Sequence, residues 1–271
     1  MKFSVLMSLY HAEKETYLEL CLKSLMEQTC RPNEVVIVFD GPISNELESV
    51  VDSWCDQLNI IIVRLSSNVG LGNALNIGVK SCSYELVARM DTDDICHKDR
   101  FKRQLDAFNS NPELSICGTS IDEFDGDVNN IISQRCLPAS HADIVKASSK
   151  FNPFNHMTVM YKKSHILNVG GYKHMPWMED WYLWLRLLSS GYFAMNISES
   201  LVSARTGMAM VSRRSGFSYV RSEWMLTKVK VDLGLVSRFN AIAIFFIRAI
   251  PRLLPKKCLH KIYLFSRKVN G

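Results

Sequence analysis

Several common signatures are missing from this sequence. No C-x-x-C pair occurs among its eight cysteines, which are scattered from Cys21 to Cys258, and its seven histidines show no zinc-ligand spacing. A disulfide framework and a zinc module are therefore not expected; buried, reduced thiols in a cytosolic protein are. No Gly-Lys-Ser/Thr occurs, which excludes a Walker phosphate loop, and no tight G-x-G-x-x-G marks a dinucleotide site. Low-complexity tracts and solenoid repeats are absent. The N-terminus, Met1 to Met7, lacks a basic region followed by an apolar run and a cleavage site, so it reads as a first strand and not as a signal peptide. The longest apolar stretch, Phe239–Ile250, is broken by Arg248 and is too short to span a bilayer.

What remains is 271 residues of 47% hydrophobic content, enough for one large domain with a short appendage. The net charge of +5 is unevenly placed: residues 205–271 hold fourteen Lys/Arg against two Asp/Glu, and the rest of the chain is acidic. A basic tail on an acidic body suits an anionic partner. Nucleic acid is not expected, because no recognition motif accompanies the charge. A membrane face is the other candidate: apolar residues alternating with Arg248, Arg252, Lys256, Lys257 and Lys261 suit a helix lying in the interface. The competing possibility is a C-terminal helix packed on the body with its basic residues solvated.

Hydrophobic periodicity predicts an alternation of strands and helices. Strands are expected at 3–9, 34–39, 60–65 and 85–90, with helices at 15–28, 45–55 and 72–81 between them. Such alternation implies parallel strands joined by helical crossovers, with ligands bound beyond the strands' carboxyl ends. Asp40 and Asp91 both fall at such ends. After Asp94 the pattern changes: a helix at 98–110, short strands near 114–124 and 128–135, and a helix near 179–190.

Asp91-Thr92-Asp93-Asp94 is the first candidate site. Three neighbouring carboxylates repel, and a hard divalent cation such as Mg²⁺ or Mn²⁺ resolves that repulsion while bridging a diphosphate. Asp94 can instead cap a following helix. Asn68 to Gly78 carries glycines that open a helix, where phosphate binds well; close helix–sheet packing is the simpler role for Gly78. Glu179-Asp180 opens an aromatic helix, either as partners of its dipole or as a general base walled by Trp177, Trp181, Tyr182 and Trp184.

Taken in order, MSLY, VVIVFDG, SNVGLGNALNIG, RMDTDD and MEDWYLWLRL resemble glycosyltransferase family 2, across roughly residues 1–205. FNPFNHMTV at 151–159 and MDTDDI resemble the bacterial O-antigen enzymes that add the second sugar to GlcNAc-diphosphate-undecaprenol. The resemblance implies a GT-A fold: α/β, with a Rossmann-like, mostly parallel sheet flanked by helices, a mixed acceptor-side half and a helical C-terminal segment. It implies a nucleotide-binding half at 1–95, an acceptor half at 96–205 and a membrane-associated segment at 206–271, on the cytoplasmic face of a bacterial inner membrane. It also implies roles. Asp40 reads uracil, Leu9 and Tyr10 line base and ribose, and Asn73 lies near the nucleotide. Asp91 contacts ribose or phosphate, Asp93 holds Mn²⁺ or Mg²⁺, and Asp180 is the base. Glu179 and His156 serve the acceptor, and Arg205 touches the diphosphate. The family's Q-x-x-R-W is missing, which points to a single transfer and not to processive synthesis. The reaction so implied moves galactose or glucose from a UDP-sugar to a polyprenyl-diphosphate-linked acceptor, inverting at the anomeric carbon. Two other readings stand beside it: a haloacid-dehalogenase-like phosphatase with Asp91 as nucleophile, since D-T-D-D-I approximates D-x-D-x-T/V, and an inactive membrane-bound scaffold.

Overall fold

Strand β2 (Glu34–Phe39) is buried along its whole length, because apolar layers cover both faces of the sheet. A computed structural model describes residues 1–206 and 215–254. In it β2 lies between β1 (Phe3–Leu9) and β3 (Ile60–Arg64), and β1 also pairs with β4 (Leu86–Arg89), all in parallel. Side chains alternate between the faces. Val5, Met7, Val35 and Ile37 pack with Leu18, Leu22 and Leu47 of α1 (Glu15–Met26) and α2 (Asn45–Leu58). Leu6, Val36 and Val38 pack on the other side with Leu75 and Val79 of α3 (Leu71–Ser81). The predicted crossovers are therefore present, with helix ends shifted by up to three residues. Gly78 has the expected packing role: a β-carbon there would sit 2.4 Å from a Leu6 methyl and 2.7 Å from a Val38 methyl.

The strand order β3-β2-β1-β4 reverses direction of growth at β1, and the crevice between the carboxyl ends of β1 and β4 is the place where such sheets bind ligands. Beyond β4 the sheet becomes mixed and totals nine strands, in the order β3-β2-β1-β4-β8-β6-β9-β5 with β7 paired to β6. These are β5 (Ile95–Cys96), β6 (Leu114–Phe124), β7 (Ile131–Arg135), β8 (Met160–Lys162) and β9 (Phe193–Arg205). One sheet thus runs through both residues 1–95 and residues 96–205. Helix α4 (Arg100–Ser110) follows β5, α5 (His141–Ser148) follows β7, and α6 (Lys163–Asn168) follows β8. Helix α7 (Glu179–Ser189) sends Leu183, Trp184 and Leu187 into the second core layer.

Two helices close the described chain, α8 (Phe217–Asp232) and α9 (Arg238–Arg252). Helix α8 packs on α7 through Tyr219, Leu226, Met178 and Trp181, and α9 packs on α8. The expectation that Arg248 and Arg252 lie on an interfacial face is corrected. Arg248 is turned inward to pair with Glu223, which is 1% exposed, and Arg252 stacks on Tyr219. A buried carboxylate needs a partner, and this pairing supplies it. Helix α9 instead turns Phe239, Ile242, Phe246, Ile247 and Ile250 outward, at 46–82% exposure. The helix is therefore packed on the body by one face and bare and apolar on the other. No helix among the described residues is long and apolar enough to cross a membrane. Lys256, Lys257 and Lys261 lie outside the described residues. Seven described cysteines are free thiols; Cys21, Cys82, Cys96 and Cys117 are buried as expected, and Cys136 is exposed.

Candidate active site

Where β4 ends, the chain carries Asp91, Asp93 and Asp94 to the rim of the sheet, with carboxylate oxygens all within 4.8 Å of one another. Asp94 is buried. Its Oδ1 accepts the Arg205 amide at 2.7 Å, while its Oδ2 has no hydrogen-bond partner. Burial, then repulsion from Asp93 and Asp91, pushes its carboxyl well above the usual range. Asp93 is pushed up to about 7 by burial, then by Asp91 and Glu13. An orphaned carboxylate oxygen among mutually repelling acids is a donor set that fits a hard divalent cation. The capping role weighed for Asp94 is corrected, since α4 begins only at Arg100 and is preceded by Asp99.

Glu13 is a fourth acid here. It lies between β1 and α1 and accepts a hydrogen bond from the Thr92 hydroxyl. Nothing near it in the sequence marks it; only the fold joins it to Thr92. Arg89, the last residue of β4, is buried and pairs with Asp91, and its Nε and Nη1 have no hydrogen-bond partner. Arg205 arrives at the end of β9. Its Nε donates to the Asp93 carbonyl at 3.3 Å, and its guanidinium lies between the rings of Tyr17 and Phe124, 3.7 and 4.6 Å from their centroids. Arg205 therefore sits at the acid cluster.

Glu179 and Asp180 form the first turn of α7. Asp180 accepts from the Asn152 side-chain amide at 2.6 Å and from the Trp181 backbone amide at 2.7 Å. The Glu179 carboxyl is pushed up to about 7 by burial, then by Asp180, and Asp91 adds to the repulsion. The aromatic wall is narrower than expected. Trp181 and Trp184 are core residues, 3% and 0% exposed, and Trp177 is the exposed one at 44%. His156 sits in a short 3-10 turn before β8, with Nε2 2.9 Å from the Tyr172 hydroxyl. Burial, then the nearby Arg89 charge, keeps the imidazole well below its ordinary pKa.

At the far side of the crevice, Asp40 ends β2. Its Oδ1 and Oδ2 accept the amides of Val69 and Gly70 at 2.7 and 3.2 Å, so it shapes the loop that opens α3. Gly70 stands at φ +86, a conformation that suits glycine. Asn73 donates to the Val69 carbonyl at 2.9 Å in the same loop. Leu9 is corrected as a lining residue: its side chain points into the core with no exposure, and its carbonyl accepts the Asp40 amide at 2.8 Å. Tyr10, one residue on and facing the other way, is 37% exposed.

The arrangement can hold an anionic ligand at the switch point, a divalent cation at the acid cluster, and a proton at the α7 acids. Asp91 follows the fourth strand, not the first, so the haloacid-dehalogenase arrangement is not this one. Fold and site together define a glycosyltransferase of GT-A architecture. The chain belongs to glycosyl transferase family 2, whose family model matches residues 4–169. It is 41% identical to the amylovoran biosynthesis glycosyltransferase AmsE of Erwinia amylovora, over 98% of this chain and 99% of that one. It is 36% identical to the UDP-Gal:alpha-D-GlcNAc-diphosphoundecaprenol beta-1,3-galactosyltransferase of Escherichia coli, over 97% and 95%. The solved structure of S. aureus TarS 1-349 in complex with UDP-GlcNAc superimposes with a TM-score of 0.67 at 19% identity, covering 90% of this chain and 70% of that one.

Proposed function

We propose that this enzyme is a cation-dependent, inverting hexosyltransferase. It moves galactose or glucose from a UDP-sugar to a GlcNAc-diphosphate-polyprenol, forming a β1-3 link in O-antigen or related polysaccharide. The carrying observation is the Asp91, Asp93 and Asp94 cluster at the carboxyl end of β4, where the buried Asp94 Oδ2 has no hydrogen-bond partner. The likeness to the E. coli galactosyltransferase along nearly the whole chain supports the donor and acceptor classes.

In this reading Asp40, Tyr10 and Asn73 serve the nucleotide, and Asp91 the ribose or phosphate side. Asp93, with Asp94, would hold Mn²⁺ or Mg²⁺, which when bound offsets charge on the diphosphate. Arg205 adds a positive charge beside the cluster. Asp180 takes the proton from the attacking hydroxyl, and its bond from Asn152 fixes the carboxylate for that role. Glu179 and His156 border the acceptor. One base without a second carboxylate nucleophile gives inversion, and so a β link from an α-linked donor. The outward apolar face of α9 supports peripheral attachment to the cytoplasmic face of the inner membrane, where a polyprenyl acceptor resides.

The test is product mass after incubating the enzyme with Mn²⁺, a synthetic GlcNAc-diphosphate lipid, and UDP-galactose or UDP-glucose. Addition of one hexose, with a β anomeric signal by NMR, is the expected result. Transfer from neither donor, or an α-linked product, overturns the reading.

A further inference from the structure

Trp181 directly follows the acid pair, and its indole is held on every side that the C-terminal helices reach. Nε1 donates to the Ser148 carbonyl at 2.8 Å. Over the ring stand two cations: Lys230 Nζ of α8 at 3.9 Å from the centroid and the Arg248 guanidinium of α9 at 4.6 Å. Arg248 is the more connected of the two. Its Nε lies 3.0 Å from both Glu223 carboxylate oxygens, Nη2 bonds the same carboxylate at 2.5 Å, and Nη1 donates to the Lys150 carbonyl at 3.2 Å.

Two paths therefore join Arg248 to Asp180. One runs through the Trp181 ring to the backbone amide that Asp180 accepts. The other runs through Lys150 along the 148–152 segment to Asn152, whose side chain holds the second Asp180 oxygen. A buried ion pair is a weak source of net stability compared with apolar packing. Its rigid fork does fix distances, and here it fixes α8, α9 and the 148–152 segment relative to one another.

We propose that Arg248 is a positioning residue for the reaction: it holds the first turn of α7 and the Asn152 segment so that the Asp180 carboxylate meets the acceptor hydroxyl. The C-terminal helices thereby become part of the catalytic apparatus without touching substrate. The inference rests on Asp180 being the base.

The test uses the full chain with donor and acceptor saturating in turn. Arg248→Met should fold and bind UDP with unchanged affinity by calorimetry. Its kcat should fall roughly tenfold to a hundredfold, the scale of a displaced catalytic group, with donor KM little changed. Arg248→Lys keeps the charge without the fork and should fall between. The double variant Arg248→Met with Glu223→Leu removes both members of the buried ion pair, so it guards against misfolding of the single one; it should show a cooperative melt and still lose kcat. In an Asp180→Asn background, Arg248→Met should lower kcat no further. Near-normal kcat in the folded double variant overturns the proposal, as does an undiminished Arg248 effect in the Asp180→Asn background. Near-normal kcat in Asp180→Asn alone would instead overturn the base assignment.

Discussion

Gly72 and Glu179 touch: a β-carbon on Gly72 would stand 3.0 Å from that of Glu179. The first turn of α3 is thus packed directly against the first turn of α7, which carries the acid pair. We expect Gly72→Ala to fold, since alanine favours a helix by roughly 0.5–1 kcal/mol over glycine, while the new methyl displaces Glu179. Activity should fall at least about tenfold, because small displacements of reacting groups are costly. Steady-state kinetics beside a thermal melt decide it; full activity would mean that α7 yields without consequence.

A second prediction concerns the acid cluster. Asp93→Asn removes one repelling charge, so the metal-free variant should melt above the metal-free parent. Mn²⁺ should raise the parent's Tm, by mass action worth about 2.7 kcal/mol at a hundred times Kd. In Asp93→Asn that rise should be largely lost. A parent Tm that does not respond to millimolar Mn²⁺ would remove the cation from the account.

Glu179 gives a pH-dependent stability. Its carboxyl is raised from the ordinary 4.5 to about 7 in the folded protein, by burial and then by Asp180. Between those values the folded state binds more protons than the unfolded one, so this contribution is present below pH 4.5 and is lost as pH rises through about 7. Glu179→Gln should therefore melt above the parent at pH 8, and the difference should shrink toward pH 4.5. A constant difference across that range would show that Glu179 is ionised throughout.

The outward face of α9 is testable without chemistry. Phe246→Asp together with Ile247→Asp puts charge on residues that are 54% and 72% exposed, so the fold should be unaffected. The parent should float with anionic liposomes and the double variant should not. Equal flotation would take this face out of the membrane account.

Much of the structure of residues 1–95 was legible because its signals are local. The all-buried strand Glu34–Phe39, the glycines near Gly70 and Gly78, and the acids after Arg89 each stand in a few consecutive residues. Residues 96–205 were harder to read. Strand β9 contains Asn196, Ser198, Glu199 and Ser200, and irregularities in its pairing with β6 break the alternation that marks a strand. Helix α5 is only eight residues, announced by little more than its Ser140 cap. Glu13 joins the cluster through a contact across 79 residues, and nothing local encodes it. For α9, periodicity shows two faces but not which one packs. The buried Glu223 decides that, by drawing Arg248 inward.

The bond from the Arg205 amide to Asp94 spans 111 residues, and it sets an order of events during synthesis. Strands β1 to β4 all lie within residues 3–89 and can associate before β9 has left the ribosome. At that stage β9 has not yet covered the rim that carries the three aspartates. At about 5–20 residues per second, Arg205 follows Asp94 by on the order of ten seconds. Only when β9 inserts between β6 and β5 does the Arg205 amide reach Asp94. A nascent chain thus carries the acids well before they are enclosed, and the surroundings of the cluster are completed by the last strand to be made.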